Sequence, residues 1–109
     1  MKKIDLKISY ELNDAKTEAV FTAKEYFTFG IYDGLEKSAK SLPDSCKKII
    51  LDLSDTRVID SAGIGVLMAL HHDFENTDVS FEVRGVSGNV AGILKTVKLN
   101  EVLNISFNS

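Results

Sequence analysis

The chain has one cysteine, one proline and no excess of positive charge, and each shortage excludes something. Cys46 alone forms no internal disulfide, so the fold rests on its core, and a reducing cytoplasm is the expected setting. A formal net charge of −3 gives no electrostatic footprint for nonspecific binding to nucleic acid or to an anionic membrane. The longest nearly apolar run, Ala62 to Leu70, falls short of the roughly 20 residues needed to span a bilayer, so direct membrane insertion is not expected. The basic start Met1-Lys2-Lys3 is followed by no apolar stretch, which argues against a signal peptide. There is no Gly-Lys-Ser/Thr phosphate loop, and Ala62-Gly63-Ile64-Gly65 is too short for a dinucleotide fingerprint, so no cofactor is expected. Internal repeats, linkers, low-complexity tracts and charge runs are also missing.

What remains is a chain of 109 residues, 44% apolar and 27% charged, the balance of a soluble globular domain with a real core. A single domain over 1–109 is expected. Ile4, Leu6, Ile8 and Tyr10 alternate with polar residues, and Asn13-Asp14 signals a turn. Glu18 to Lys24 then alternates again with Ala19, Phe21 and Ala23 on one face. Together these predict an antiparallel hairpin. Tyr26-Phe27-Thr28-Phe29 is ambiguous, with Thr28 placed to cap a helix. That helix carries Ile31, Leu35, Ala39 and Leu42 at helical spacing and is closed by Pro43.

Ile49 to Leu53 is a near-continuous apolar run, predicting a central strand covered on both faces. A second helix is expected over about 62–76, a strand over 79–83 and a loop over 85–88. A third helix over 89–98 turns Val90, Ile93, Leu94 and Val97 inward, and a last short strand lies within 103–107. The order predicts an α/β fold: a mixed sheet of four to five strands with an N-terminal antiparallel hairpin, right-handed crossovers and three to four helices.

The most informative segment is Asp60-Ser61-Ala62-Gly63-Ile64-Gly65, between the central strand and the second helix. Ligand-facing groups of open α/β sheets collect at the carboxyl ends of strands. A serine there lies beside the free N–H groups and positive end of a helix, a setting that tolerates phosphate. Gly63 and Gly65 remove bulk, so that a partner is able to approach closely. Helical steps from Ser61 give Gly65, Met68 and His72 on one stripe. Read as structure alone, the segment is a capped helix packed tightly on a sheet, although Asp60 and Ser61 offer two caps where one suffices.

Enzymatic readings fare worse. The motif is not Gly-x-Ser-x-Gly. A histidine ten residues along the helix from Ser61 lies about 15 Å away, out of reach as its base. His71 and His72 are adjacent, so they point about 100° apart and do not chelate a metal as an i, i+4 pair does. One inward and one outward histidine is the expected arrangement. Arg57 is placed as a rim contact for a partner or phosphate, against its reading as a solvated loop charge.

The run from Ile49 through Asp52-Leu53, a short loop and Asp60-Ser61-Ala62-Gly63-Ile64-Gly65 to Val66-Leu67 resembles the signature of STAS domains. More narrowly, it is similar to the anti-sigma factor antagonists of bacterial partner-switching systems. The resemblance implies that Ser61 is the phosphoacceptor of an anti-sigma factor with serine-kinase activity, and that a metal-dependent serine phosphatase reverses the modification. It implies capture of the anti-sigma factor by the unmodified form and no catalysis by this chain. Asp60, Ala62, Gly63, Gly65, Met68, His72 and Arg57 become the expected partner-binding residues. Ala62 stands where many relatives carry a second serine, and Tyr26-Phe27-Thr28-Phe29-Gly30 departs from the Gly-containing turn common before the first helix. STAS domains also serve as accessory subunits of lipid-transporting ABC systems, and partner switches also act on outputs other than a sigma factor. Neighbouring genes for a kinase and phosphatase, or for a permease and ATPase, separate these alternatives.

Overall fold

The computed structural model of the chain describes residues 8–108. The expected alternation at Ile4 and Leu6, and the signal-peptide question, lie outside them. Strand β1 (Ile8–Leu12) pairs antiparallel with β2 (Glu18–Phe27). Their turn is organised by Asn13, whose Oδ1 accepts from the backbone N–H groups of Thr17 and Glu18 at 2.8 and 3.1 Å.

Three parallel crossovers follow. Helix α1 (Gly30–Lys40) leads to β3 (Lys48–Ile59), α2 (Ser61–Phe74) to β4 (Ser80–Val86), and α3 (Gly88–Thr96) with a 3-10 turn at Leu99–Glu101 to β5 (Ile105–Phe107). The five strands are ordered β1-β2-β3-β4-β5, with β2 to β5 parallel. This is the predicted mixed α/β sheet. Because β2, β3 and β4 run in one direction, the starts of all three helices gather at one edge of the sheet.

One core holds the layers together. It takes Phe21, Leu51, Leu53 and Val83 from the sheet and Leu35, Leu67, Leu70, Val90 and Leu94 from the helices. Ile50, on the alternate face of β3, is buried but stands outside that core. Its neighbours there carry the cross-strand ion pairs Lys48–Glu82 (3.3 Å) and Arg84–Asp52 (3.2 Å). Instead of the expected apolar cover on both faces, β3 has one apolar face and one polar face on which the side chains of adjacent strands shield Ile50.

Other boundaries move for identifiable reasons. Both β2 and β3 outrun the sequence reading, which ended them at Lys24 and Leu53. Ser54 to Ile59 is not a loop but the second half of a strand, paired through Tyr26↔Val58 and Phe27↔Ile59. Two register shifts and a left-handed Glu25 (φ 60°) break the period-2 pattern there, as β-bulges do. The buried Thr56 is accommodated because its hydroxyl donates to the Ala23 carbonyl at 2.9 Å. Strand β4 likewise runs on to Val86, where a loop was expected, and helix α3 ends at Thr96. Val97 is therefore 48% exposed instead of inward.

Tyr32 ties the first two helices together. Its hydroxyl donates to Asp73 Oδ2 at 2.9 Å and lies 3.3 Å from Glu36 Oε2. The Asp73 hydrogen bond, ahead of the other contributions, pushes the phenol up to about 12. A phenol that binds its proton more tightly when folded stabilises fully below its ordinary value of 10.0 and loses that contribution as pH rises toward about 12. Tyr32→Phe is accordingly expected to lower Tm slightly at neutral pH. It should also flatten the pH dependence of Tm between pH 10 and about 12, measured by circular dichroism.

Candidate functional site

Helix α2 begins where β3 ends, beside the end of β2. Asp60 is its N-cap in extended conformation, and its Oδ1 accepts from the Gly63 N–H at 2.7 Å. The other oxygen, Oδ2, accepts from the Thr28 hydroxyl at 2.8 Å and the Tyr26 hydroxyl at 3.2 Å. One carboxylate thus closes the first turn of α2 and fastens it to the end of β2. Thr28 does not cap α1 as expected: Phe29 occupies that position and offers no side-chain hydrogen bond. The Thr28 hydroxyl is drawn to the nearer charge, and a hydrogen bond to an ionised acceptor is the stronger choice.

Donation by Thr28, then by the Gly63 N–H, holds the Asp60 carboxyl below its ordinary value of 3.8, while Asp60 holds the Tyr26 phenol up. A carboxyl depressed in the folded state stabilises fully above 3.8 and loses its contribution as pH falls below that value. Thr28→Val removes the leading donor, so acid unfolding followed by circular dichroism is expected to shift to higher pH.

Ser61 is the first residue of α2 and is exposed. Its hydroxyl has no hydrogen-bond partner among the described residues. Ala62, Gly65 and His72 are exposed on the same helix, while Met68 is half-buried and packs partly against the core. The expected stripe is present, with Met68 at its inner margin.

Gly63 departs from expectation. It is buried, and a Cβ placed there would collide with the Phe27 carbonyl oxygen and sit 2.8 Å from Ile59 Cγ1. Its missing side chain lets α2 approach β2, so its bulk is removed for the fold and not for a partner. Gly65 meets nothing within 4 Å and is open to the exterior. Arg57 is exposed, 3.7 Å from Glu25, and lines an open cleft of about 560 Å³ with Lys24, Asp55, Ser87 and Asn89 that does not include Ser61. Its nearest charged partner among the described residues is Glu25 on β2.

His71 is half-buried and His72 exposed, as the 100° offset requires, and both face Glu75, at 3.7 and 2.7 Å. Among the described residues no group of three or more His, Cys, Asp or Glu side chains is arranged to hold a metal ion. No described helix is long and apolar enough to cross a membrane.

Sequence reasoning missed an apolar fringe. Of six large apolar residues exposed among the described ones, Tyr26, Phe29 (68% exposed) and Val58 adjoin this turn. Tyr26 pairs with Val58 across the sheet, and Phe29 follows the Asp60-bound Thr28. The aromatic density of 26–29 was the available signal.

The family model for the STAS domain matches residues 7–109. The chain belongs to the STAS domain family. Solved structures with the same fold include a putative anti-sigma factor antagonist from Thermotoga maritima, at 18% identity and TM-score 0.73, with 94% of this chain and 86% of that one covered. A sulfate transporter family protein from Wolinella succinogenes matches at 21% identity and TM-score 0.73, covering 88% and 80%. The anti-sigma factor antagonist SpoIIAA in its unphosphorylated form matches at 12% identity and TM-score 0.66, covering 94% and 88%. At these identities the likeness is one of fold. This STAS domain has the same architecture as signalling antagonists and as a transporter relative, so its own turn must distinguish between them.

Proposed function

We propose that this STAS domain is a partner-switching regulator, an anti-sigma factor antagonist that binds a serine-kinase partner when Ser61 is unmodified and is released by phosphorylation of Ser61. The observation that carries this reading is an exposed serine at the first position of α2, with a free hydroxyl and an apolar fringe beside it. The Ser61 hydroxyl is accessible to a kinase, and Ala62 leaves no second hydroxyl in the motif to compete. The exposed residues of α2 together with Phe29 and Val58 make a contact surface centred on the modification. A metal-dependent phosphatase resets the switch in the cytoplasm. The domain itself catalyses nothing, acting as substrate and binding module.

Phosphate brings about −1.5 to −2 charge. At a helix N-terminus it is electrostatically welcome within the domain. Inside a docked interface it must be desolvated and fitted, and that difference drives release.

The test is titration calorimetry of the chain against the serine kinase encoded nearest its gene, before and after stoichiometric phosphorylation. Binding of the unmodified form, weakened at least about 100-fold by phosphate, is expected. Equal affinity of both forms for that kinase would refute the switch.

A further inference from the structure

We propose that Tyr26 and Thr28 are positioning residues for Ser61: their hydroxyls hold the Asp60 carboxylate away from the serine, so that phosphate is accepted there without disturbing the turn. This rests on reading Ser61 as the phosphoacceptor. It concerns two hydroxyls whose hydrogen bonds to Asp60 fasten the start of α2 to the end of β2.

Asp60 presents a difficulty for any phosphate on Ser61. Consecutive Cα atoms are about 3.8 Å apart, so a dianion would be built beside an existing carboxylate. Like charges on adjacent side chains repel, and they also compete for the same donors. The first turn of α2 has few donors to share. The Gly63 N–H is taken by Asp60 Oδ1, and the Ile64 N–H by the Asp60 carbonyl at 3.0 Å. The N–H groups of Ser61 and Ala62 remain open, as the first N–H groups of any helix do. They are the donors nearest an incoming phosphate.

The hydroxyls of Tyr26, in β2, and Thr28, just beyond its end, resolve the competition. By occupying Asp60 Oδ2 at 2.8 and 3.2 Å, they spread its charge toward the strand and leave the Ser61 and Ala62 N–H groups uncontested. Both donors come from a strand end fixed by the buried Phe27, whereas a water in their place would be free to leave. Without them the carboxylate keeps only its Gly63 contact and is free to swing toward the open N–H groups.

The test needs neither kinase nor partner. Ser61→Glu, and separately phosphoserine incorporated at position 61, are placed in the native chain and in the Tyr26→Phe/Thr28→Val background. Thr28→Ser serves as the variant that keeps a hydroxyl. In the native and Thr28→Ser backgrounds, a charge at position 61 is expected to leave Tm and the amide exchange of Ala62 and Gly63 essentially unchanged. In the background lacking both hydroxyls, the same charge should accelerate exchange at Ala62 and Gly63 about tenfold and move the phosphorus-31 resonance of the phosphoserine. If the double variant does not fold, Tyr26→Phe alone, which deletes one exposed hydroxyl, is held to the same comparison. Equal effects of the charge in all backgrounds would overturn the proposal while leaving the functional reading intact. Failure of kinases to modify Ser61 would remove that reading and leave this coupling measurable.

Discussion

Ser61→Asp is expected to weaken capture of the serine-kinase partner by about 100-fold, whereas Ser61→Ala should bind as tightly as the native chain and resist release by ATP. The size follows from position. Placing an unpaired charge inside an interface costs about 2–5 kcal/mol, and every 1.4 kcal/mol is tenfold. The same charge at a rim would change affinity little. Folding separates the two causes of lost binding. An acidic side chain in the first turn of a helix is stabilising by about 0.3–1 kcal/mol, so the Ser61→Asp protein should keep or slightly raise its Tm. Lost binding with an intact Tm, measured on the same preparation, assigns the effect to the interface. Native-like binding by Ser61→Asp would place Ser61 outside the contact.

The second large effect concerns two glycines of one motif. Gly63→Ala is expected to destabilise the domain by about 3 kcal/mol, the upper part of the range for overpacking a close-packed site. The added methyl overlaps the Phe27 carbonyl oxygen and crowds Ile59 Cγ1. The carbonyl has little room to retreat, because Phe27 is fully buried and the Asp60 N–H points at that oxygen from 3.5 Å. Replacing a helical glycine with alanine gains roughly 1 kcal/mol of propensity, which offsets only part of the loss. For a domain of this size the result is a Tm lower by more than about 10 °C. Gly65→Ala meets nothing within 4 Å and should gain about 0.5–1 kcal/mol. If Gly65 lies under a docked partner, the same methyl weakens binding while it raises Tm. Chemical denaturation of both variants distinguishes the packing glycine from the surface one.

The sequence made these roles look alike, since adjacent small residues in a motif carry no mark of which way they face. What it made plain was periodic. Ala19, Phe21 and Ala23 alternate without interruption and are all buried. Leu67 and Leu70 mark the inner side of α2, and the Asp60-Ser61 handover fell at its true place between β3 and α2. What it obscured was bulged or distant. Ser54, Asp55 and Arg57 read as loop because they are polar and exposed, yet they belong to a strand whose period is broken by register shifts against β2. The Asp60 anchor was illegible for a different reason. Its donors Tyr26 and Thr28 lie more than thirty positions upstream, and only the parallel pairing of β2 with β3 brings them to the carboxylate. The ambiguity of Tyr26-Phe27-Thr28-Phe29 resolves because β2 runs on to Phe27, which is buried, while Tyr26 and Phe29 on either side are exposed.

Regulation through Ser61 is tested most directly by locating the modification itself. The chain is incubated with ATP and the serine kinases encoded in its own genome, digested, and read by tandem mass spectrometry. A single phosphate on Ser61 is expected, absent from Ser61→Ala treated in parallel. A phosphate on any other residue, or none with any of those kinases, would contradict it.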